Sequence, residues 1–284
     1  MSSTAPALSG PAPELIYKRR IRPIQMAREL WHARPLISAL TEREFRARYK
    51  QTKMGYAWAF FTPLIMMVVL AVFFGRAANV QAGGFPYAVF LYVGMLPWTF
   101  FQNSLNKGGV SIISNMSLVN KVYCPREVFP LSAIAGAVID LGIAATILVG
   151  LFAGYRVMPE AESVWVPVLM LIQVAFTIGV TVLLSALVVY LRDLRQVLPM
   201  ILQFAIFAVP VMVGLDDLVA KSWQPVASAL NPMAPVIDGY RRTILFGEPP
   251  RLGLLAIASV SSLVYLIGGY LVFKKLETGF ADVA

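Results

Sequence analysis

Residues 41–63, TEREFRARYKQTKMGYAWAFFTP, join a dense run of charge to a long apolar segment. From residue 55 through residue 75 the chain carries no Asp, Glu, Lys or Arg. Basic residues directly before a first membrane span are a strong orientation signal, because loops rich in Lys and Arg stay in the cytoplasm. The pattern therefore predicts a membrane surface near residue 55 and a cytoplasmic amino-terminal arm. The basic residues on the near side are Arg43, Arg46, Arg48, Lys50 and Lys53.

The composition is that of a membrane protein. Of 284 residues, 58% are hydrophobic and 14% are charged, whereas a soluble domain carries about a quarter charged residues. The net charge of +9 is spread over separate loops, which excludes a single basic face for nucleic acid. One cysteine, Cys124, and one histidine, His32, exclude a disulfide framework, a metal centre of clustered Cys or His, and a Ser/His catalytic pair. We therefore expect no cofactor and no metal in this chain.

Six segments are long and apolar enough to cross a bilayer. A hydrocarbon core of about 30 Å needs roughly 20 mainly apolar residues as a helix, so we predict an all-α membrane protein with six transmembrane helices. An even number of spans returns the carboxyl terminus to the side where the chain began, so both termini are predicted to be cytoplasmic. Most Lys and Arg then fall in cytoplasmic segments, as the positive-inside rule requires. The predicted spans are 57–77, one within 77–106, 128–155, 164–191, 196–215 and 252–273.

The region before the first span is predicted to contain a tail and an interfacial helix. Residues 1–35 begin with a stretch rich in Ala, Ser and Pro that lacks the apolar core of a signal peptide, and we assign them as a cytoplasmic tail. Residues 36–56 follow as an amphipathic segment with apolar residues on one side and basic residues on the other. Two interpretations remain open: a positive-inside anchor, or a helix in the membrane plane that packs against another subunit. The six-span domain is assigned to residues 57–284.

Three connections between spans carry information about function. The loop 107–127 is predicted to be cytoplasmic, yet it is too apolar for a solvated turn, and the sequence indicates no partner for it within the chain. The link 192–195, RDLR, is so short that spans four and five are predicted to form a tight hairpin with a charged tip. The external segment 216–251 is rich in proline. It predicts short re-entrant helices, or a lid, between spans five and six.

Asp140 is the one ionisable residue well inside a predicted span. A carboxylate in the membrane is costly, and it marks either a functional site or a polar contact between helices. Proton-driven transport normally requires a chain of such groups, so we favour the structural contact. The candidate partners are Gln173, Gln203 or an Arg of a second subunit.

Aromatic residues cluster around the second predicted span. Trp and Tyr gather at the interfaces of membrane proteins of every kind, so an aromatic belt explains the cluster. The alternative is a conduit lined with rings, along which sugar faces stack and slide. The cluster comprises Tyr87, Phe90, Tyr92, Trp98, Phe100 and Phe101.

Five separated motifs resemble those of one family of membrane proteins. They are ARYKQTKMGYAWAFFTP at 47–63, GMLPWTFF at 94–101, NKVYCPR at 120–126, YLRDL at 190–194 and NPMAP at 231–235. In this order, over about residues 30–280, they are similar to the membrane subunit of ABC-2 type exporters. The resemblance is to the branch that exports O-antigen, lipid-linked galactan or teichoic acid. Met54 stands where that family more often has Leu, a change that conserves volume.

The resemblance implies a fold, partners and site residues. Family members are homodimers with six spans per subunit, each paired with a separate soluble ATPase that binds ATP and Mg, and this chain has no phosphate loop of its own. Their channel runs through the dimer centre, and a coupling helix between spans two and three docks on the ATPase. The resemblance thereby implies three sets of site residues. Those that couple the permease to the ATPase are Asn120, Lys121, Tyr123, Pro125, Arg126, Arg192 and Asp193. Those of an interfacial gate helix are Arg46, Arg48, Tyr49 and Lys50, and those that line the channel are Trp98, Phe100, Phe101, Phe60 and Phe61.

The sequence and the resemblance together predict a permease that performs no covalent chemistry itself. We expect it to move a lipid-linked polysaccharide, or a teichoic-acid-like polymer, outward across the bacterial inner membrane, in contact with membrane lipids and with no nucleic acid partner. One alternative is an ABC-2 permease for drugs or small lipids. Another is a membrane transferase that acts on lipid-linked sugars, although the sequence offers no cluster of acidic or His residues for it.

Overall fold

The computed structural model describes residues 23–49, 57–77, 83–119 and 124–280, and the regular structure within them is helical. The first helices are α1 (Pro23–His32), α2 (Arg34–Tyr49), α3 (Ala57–Leu70), α4 (Tyr87–Gly109), α5 (Ser111–Ser114), α6 (Met116–Val119) and α7 (Val128–Tyr155). The others are α8 (Val166–Tyr190), α9 (Leu194–Ala205), α10 (Leu215–Leu218), α11 (Gln224–Leu230), α12 (Met233–Ile244) and α13 (Leu252–Glu277). A π-helical segment, Ala71–Ala77, follows α3, and 3₁₀ turns lie at Ala161–Trp165 and Ile206–Ala208. The predicted all-α class is confirmed.

Four helical segments within the described residues are long and apolar enough to cross a membrane. They coincide with the first, third, fourth and sixth predicted spans. The second predicted span corresponds in position to α4, a 23-residue helix that is buried along most of its length. The count of six spans stays a prediction. The four segments are Ala57–Gly75, Val128–Tyr155, Ala161–Tyr190 and Leu252–Glu277.

The fifth predicted span, 196–215, differs from its prediction. α9 has only 12 residues and is about 18 Å long, against a hydrocarbon core of about 30 Å. One 3₁₀ turn follows, and Val209 then adopts an extended conformation with φ −124° and ψ 151°. Pro210 gives the physical reason, because the residue before a proline is disfavoured in the helical region. The prediction of one continuous helix through residue 215 was wrong.

The centre of the bundle is α4, which packs against both α7 and α8. Its aromatic and aliphatic side chains join those of α8, α9 and the segment after α9 in one buried cluster. α8 in turn makes an extensive contact with α13. At that crossing a Cβ on Gly269 would lie 2.3 Å from the carbonyl oxygen of Gly179. Glycine is therefore required for this close approach, as small residues commonly are between membrane helices.

Elements far apart in sequence meet at one end of the bundle. Leu40 of α2, Ile112 of α5 and Phe129 at the start of α7 are buried together with Phe273 and Phe280 near the end of the chain. This end therefore collects the interfacial helix, the loop after α4 and the last helix. The sequence predicts these same elements on the cytoplasmic side.

The segment predicted to be external lies at the opposite end. There Phe90 at the start of α4, Phe152 at the end of α7 and Leu245 after α12 are buried in one cluster. α10, α11 and α12 have 4, 7 and 12 residues, so each is too short to cross a bilayer. Short helices were predicted here, and their depth in a membrane stays a prediction.

Candidate functional site

α2 packs on the start of α7 of the same chain. The Thr41 hydroxyl, which is buried, donates to the carbonyl oxygen of Ser132 at 3.1 Å. Arg46 lies on the exposed side of the helix, paired with Glu42 one turn earlier. Intrachain packing thus accounts for the buried face of α2, and a role as a gate helix stays a prediction. Lys50 and the side chains of Arg48 and Tyr49 lie outside the described residues.

The apolar loop after α4 packs largely within the chain. Ile112 of α5 is fully buried, and Met116 and Leu118 are partly buried against the cluster that holds α2 and the end of α13. The expectation that this loop lacks a partner in its own chain was therefore wrong for residues 111–119. The exposed side chains on this stretch are polar, Ser114 and Ser117.

The coupling candidates before α7 are tied to the end of α13. Arg126 donates through Nη1 to the Glu277 carbonyl oxygen at 2.5 Å, and its guanidinium lies 5.2 Å from the centre of the Phe280 ring. Pro125 precedes it and is half-buried. The Arg126 side chain therefore has an intrachain role, while its contact with an ATPase stays a prediction. Asn120, Lys121 and Tyr123 lie outside the described residues.

The remaining coupling candidates lie in the turn between α8 and α9. Arg192 and Asp193 are both exposed, and Asp193 immediately precedes α9, where a negative charge favours the helix dipole. The Tyr190 hydroxyl donates to the Leu276 carbonyl oxygen at 2.7 Å. This bond places the turn at the same end of the bundle as Arg126. The structure thus brings together the described coupling candidates, and their contact with a partner stays a prediction.

A buried ion cluster joins the start of α7 to the end of α13. Lys274 Nζ contacts Glu127 Oε1 and lies 2.8 Å from Glu277 Oε2. Tyr270 donates to Glu127 Oε1 at 3.0 Å. The Lys274 and Glu127 side chains are 5% and 2% exposed, so each charge depends on its partner. Sequence reasoning missed this cluster, because only the spacing of Lys274 and Glu277 on one helix is visible without the fold.

The aromatic candidates divide into two groups. Those on α4, Trp98, Phe100 and Phe101, are buried in the chain's own core, and the ring centres of Trp98 and Phe101 are 5.6 Å apart. Those on α3, Phe60 and Phe61, are 43% and 42% exposed. Rings packed inside one chain stabilise that chain, whereas the two on α3 face its surroundings. Channel lining stays a prediction for all five.

Asp140 of α7 pairs with Lys107, near the end of α4. The two charged atoms lie 2.6 Å apart. Gln173, one of the predicted partners, donates instead to the Pro97 carbonyl oxygen at 2.8 Å, and Gln203 is exposed on α9. The contact is interhelical, as favoured from the sequence, but the partner was missed because the sequence places Lys107 in a cytoplasmic loop.

A buried arginine organises the opposite end of the bundle. Arg241 of α12 donates to the carbonyl oxygens of Phe90 at 3.1 Å, Pro210 at 2.5 Å and Val213 at 2.9 Å, and it contacts that of Val211. Three of these carbonyls, those of Pro210, Val211 and Val213, lie in the irregular segment after α9, where no continuing helix pairs them, and one guanidinium satisfies them. Burial lowers the pKa of Arg241 to about 9, so the group is charged at neutral pH.

Comparison with known proteins gives the family. The family described as ABC-2 type transporter matches residues 35–245. The chain belongs to this family. The O-antigen export system permease protein RfbA of Myxococcus xanthus is 31% identical over 262 residues, which cover 91% of this chain and 99% of that protein. A Klebsiella pneumoniae protein of the same description is 27% identical over 92% of this chain and 99% of its own length. The polysialic acid transport protein KpsM of Escherichia coli is 22% identical over 85% of this chain and 93% of its own length.

Membership of the ABC-2 type transporter family gives the role of the chain as a whole. The chain is a multi-pass membrane component of a transporter rather than an enzyme. ABC transporters act with an ATPase. The matched range begins in α2 and ends at Leu245, so it contains both the coupling candidates and Arg241. Among the residues that the structure describes, no group of three or more His, Cys, Asp or Glu is placed to hold a metal ion.

Proposed function

We propose that this chain is the permease subunit of an ATP-driven exporter that moves a polysaccharide from the cytoplasmic to the outer face of the inner membrane. The observation that carries the proposal is the match to the O-antigen export permease of Myxococcus xanthus over 91% of this chain and 99% of that protein. An alignment of this extent concerns the whole permease rather than a shared module. Another relative is named for polysialic acid transport, so polysaccharide is the substrate class that the O-antigen and polysialic acid names share.

The working assembly in this proposal is a homodimer of the chain with two copies of a separate ATPase subunit, which binds ATP and Mg. The cargo is a lipid-linked polysaccharide or a teichoic-acid-like polymer, and both termini lie in the cytoplasm. The lack of a phosphate loop in the sequence supports an ATPase encoded elsewhere.

The proposed motion starts at the end of the bundle that holds α5, α6 and the turn with Asp193. ATP-driven closure of the ATPase pair pushes on this end. The contact of Glu127 with Lys274 carries the displacement into α13, which packs along α8. Rigid helices pass it to the dimer interface, where the path opens.

Reversing the charge of Asp193 tests the coupling. We expect Asp193→Arg to insert and assemble normally yet to lose transport-linked ATP hydrolysis, because the exposed tip no longer complements the ATPase. The measurement is the ATPase activity of the purified complex with and without glycan, alongside surface polymer in cells. Asp217→Arg, an exposed acid at the opposite end, is the matched control and should behave like the unsubstituted protein. Arg126 is less suited to this test, because its side chain also holds the end of α13.

Deleting the ATPase separates the proposed function from its alternatives. A polysaccharide exporter stops delivering polymer to the cell surface, while a membrane transferase continues to modify its lipid-linked sugar. A permease for drugs or small lipids leaves surface polymer unchanged when the permease itself is deleted. Polymer that still reaches the surface without any ATP hydrolysis contradicts the proposal.

A further inference from the structure

A groove lies between α3, α4 and α7, inside a single chain. Its cavity measures about 610 Å³, within the range of sites that bind small organic molecules. One wall is aliphatic, with Ile65 and Val69 of α3 and Leu141 of α7 among its residues. Trp58, which is 45% exposed, also lines the groove.

The wall formed by α4 is apolar at Met95, Leu96 and Phe100 and polar toward the end of the helix. Gln102 and Asn103 line the groove, as does Lys107, whose ammonium pairs with Asp140. Within the part of the chain that the structure describes, the side-chain amides of Gln102 and Asn103 make no hydrogen bond. Both residues lie about two turns before α4 ends, in a helix that the sequence predicts to span the membrane.

These two amides require a polar occupant. Hydrocarbon cannot satisfy a polar group, so lipid chains in the groove would leave both amides unsatisfied. The groove's formal charges, on Lys107 and Asp140, cancel, which favours a neutral ligand over an anion. Hydroxyl groups donate and accept hydrogen bonds as side-chain amides do, and the indole of Trp58 offers an apolar face. The groove lining therefore fits a neutral polymer that is rich in hydroxyl groups.

We propose that this groove binds sugar units of the exported polysaccharide, with Gln102 and Asn103 as hydrogen-bonding residues and Trp58 as a stacking residue. The inference rests on the proposed function and adds to it a binding site within each subunit. The aliphatic wall makes no hydrogen bonds, so it lets the polysaccharide slide past. The site uses side chains other than the buried rings of Trp98 and Phe101.

Cysteine labelling tests whether the groove is wet and whether sugar fills it. Cys124 is replaced by Ser, Thr99→Cys is introduced at a groove-lining position outside the two amides, and the complex with its ATPase in nanodiscs is treated with a charged, water-soluble thiosulfonate. Val264→Cys, at a position 64% exposed on α13, is the lipid-facing control, and Asp217→Cys is the water-facing one. We expect Thr99→Cys to react at a rate near that of Asp217→Cys. An oligosaccharide released from the strain's own polymer should slow the reaction several-fold.

Two labelling outcomes overturn the proposal. If Thr99→Cys reacts as slowly as Val264→Cys, lipid chains fill the groove. If it reacts fast and the oligosaccharide has no effect, the groove holds water and no sugar. Surface polymer in the same strain, measured with and without the ATPase, reports separately on the proposed function. If export stays intact and ATP-dependent but the oligosaccharide does not slow labelling of the cysteine, the groove proposal fails and the proposed function stands.

Removing both amides gives a second readout. Gln102→Leu combined with Asn103→Leu should reduce surface polymer about tenfold, as expected for the loss of two ordinary hydrogen bonds. Leucine is favoured in a membrane helix, so we expect this variant to fold. Thr146→Leu replaces an exposed polar residue of α7 that does not line the groove, and it is the matched control. Equal polymer in the two variants overturns the proposal.

Discussion

Lys107 and Asp140 face each other between α4 and α7, with side chains 27% and 15% exposed. Each charge depends on its partner, because burial in protein adds a desolvation penalty that the attraction of the paired charge offsets. Arg241 differs, since backbone carbonyl oxygens surround its guanidinium. Buried charge in this bundle is therefore compensated locally, residue by residue.

Removal of one partner of the Lys107 and Asp140 pair should cost more than removal of both. We expect Lys107→Met or Asp140→Asn alone to lower the free energy of unfolding by about 3 kcal/mol. Lys107→Met combined with Asp140→Leu should restore most of that loss. The measurement is the denaturation midpoint of the purified protein in detergent, with Thr146→Leu as the control. A double variant as unstable as either single variant contradicts this account of the pair.

Among the helices, the crossing of α8 with α13 depends on which of two adjacent glycines faces the contact. A Cβ on Gly269 would lie 2.3 Å from the Gly179 carbonyl oxygen, whereas one on Gly268 would meet nothing within 4 Å. We expect Gly269→Ala to lower the free energy of unfolding by about 2 kcal/mol, because the helices must separate. Gly268→Ala should be neutral or slightly stabilising, since alanine favours a helix. Thermal unfolding of both variants checks this, and equal shifts would show that the backbones are not in contact.

Whether an element can be predicted from sequence depends on the physical signal that it leaves there. The span that begins near residue 57 is marked by the loss of charge after Lys53, a signal that lipid imposes on any spanning helix. The end of α9 escapes such reasoning, because apolar residues continue past Ala205 while the backbone turns at Val209. Hydropathy measures solvation and not backbone geometry. The proline at 210 was the local signal that could have located this break.

Partners across the fold were harder to predict than the elements themselves. The sequence identifies Asp140 as an isolated charge, but only the packing of α4 on α7 brings Lys107 to it. In the same way, Glu127 precedes α7 and Lys274 lies in the last turn of α13, and nothing in either local pattern points to the other. Long-range pairs depend on how helices are placed, and one sequence contains no direct record of that placement.

At the scale of the molecule, α13 connects the two ends of the bundle. At the predicted cytoplasmic end its Lys274 contacts Glu127. Further along the helix, Tyr265 donates to the Leu230 carbonyl oxygen of α11 at 3.0 Å, and Ser261 contacts that of Ala229. A displacement at the start of α7 therefore has a continuous packed route to the short helices of the opposite end.

The contact of Glu127 with Lys274 tests whether that route is mechanical. We expect Glu127→Gln to raise the amount of ATP hydrolysed per polymer exported, because the start of α7 then moves without α13. Lys274→Met breaks the same contact from the other side and should raise the ratio in the same way. Lys275→Met, at the exposed neighbouring position, should change nothing.

ATP hydrolysis and export are to be measured on the same reconstituted complex, after gel filtration has established equal assembly of the variants. Glu127 and Lys274 are buried, so a purely structural role predicts lower yield or stability at an unchanged ratio of ATP hydrolysed to polymer exported. If Glu127→Gln keeps the unsubstituted ratio at equal assembly, the cluster stabilises the fold and transmits nothing. The ATP-driven displacement must then enter the permease through the turn between α8 and α9, where Asp193→Arg alone should break the coupling.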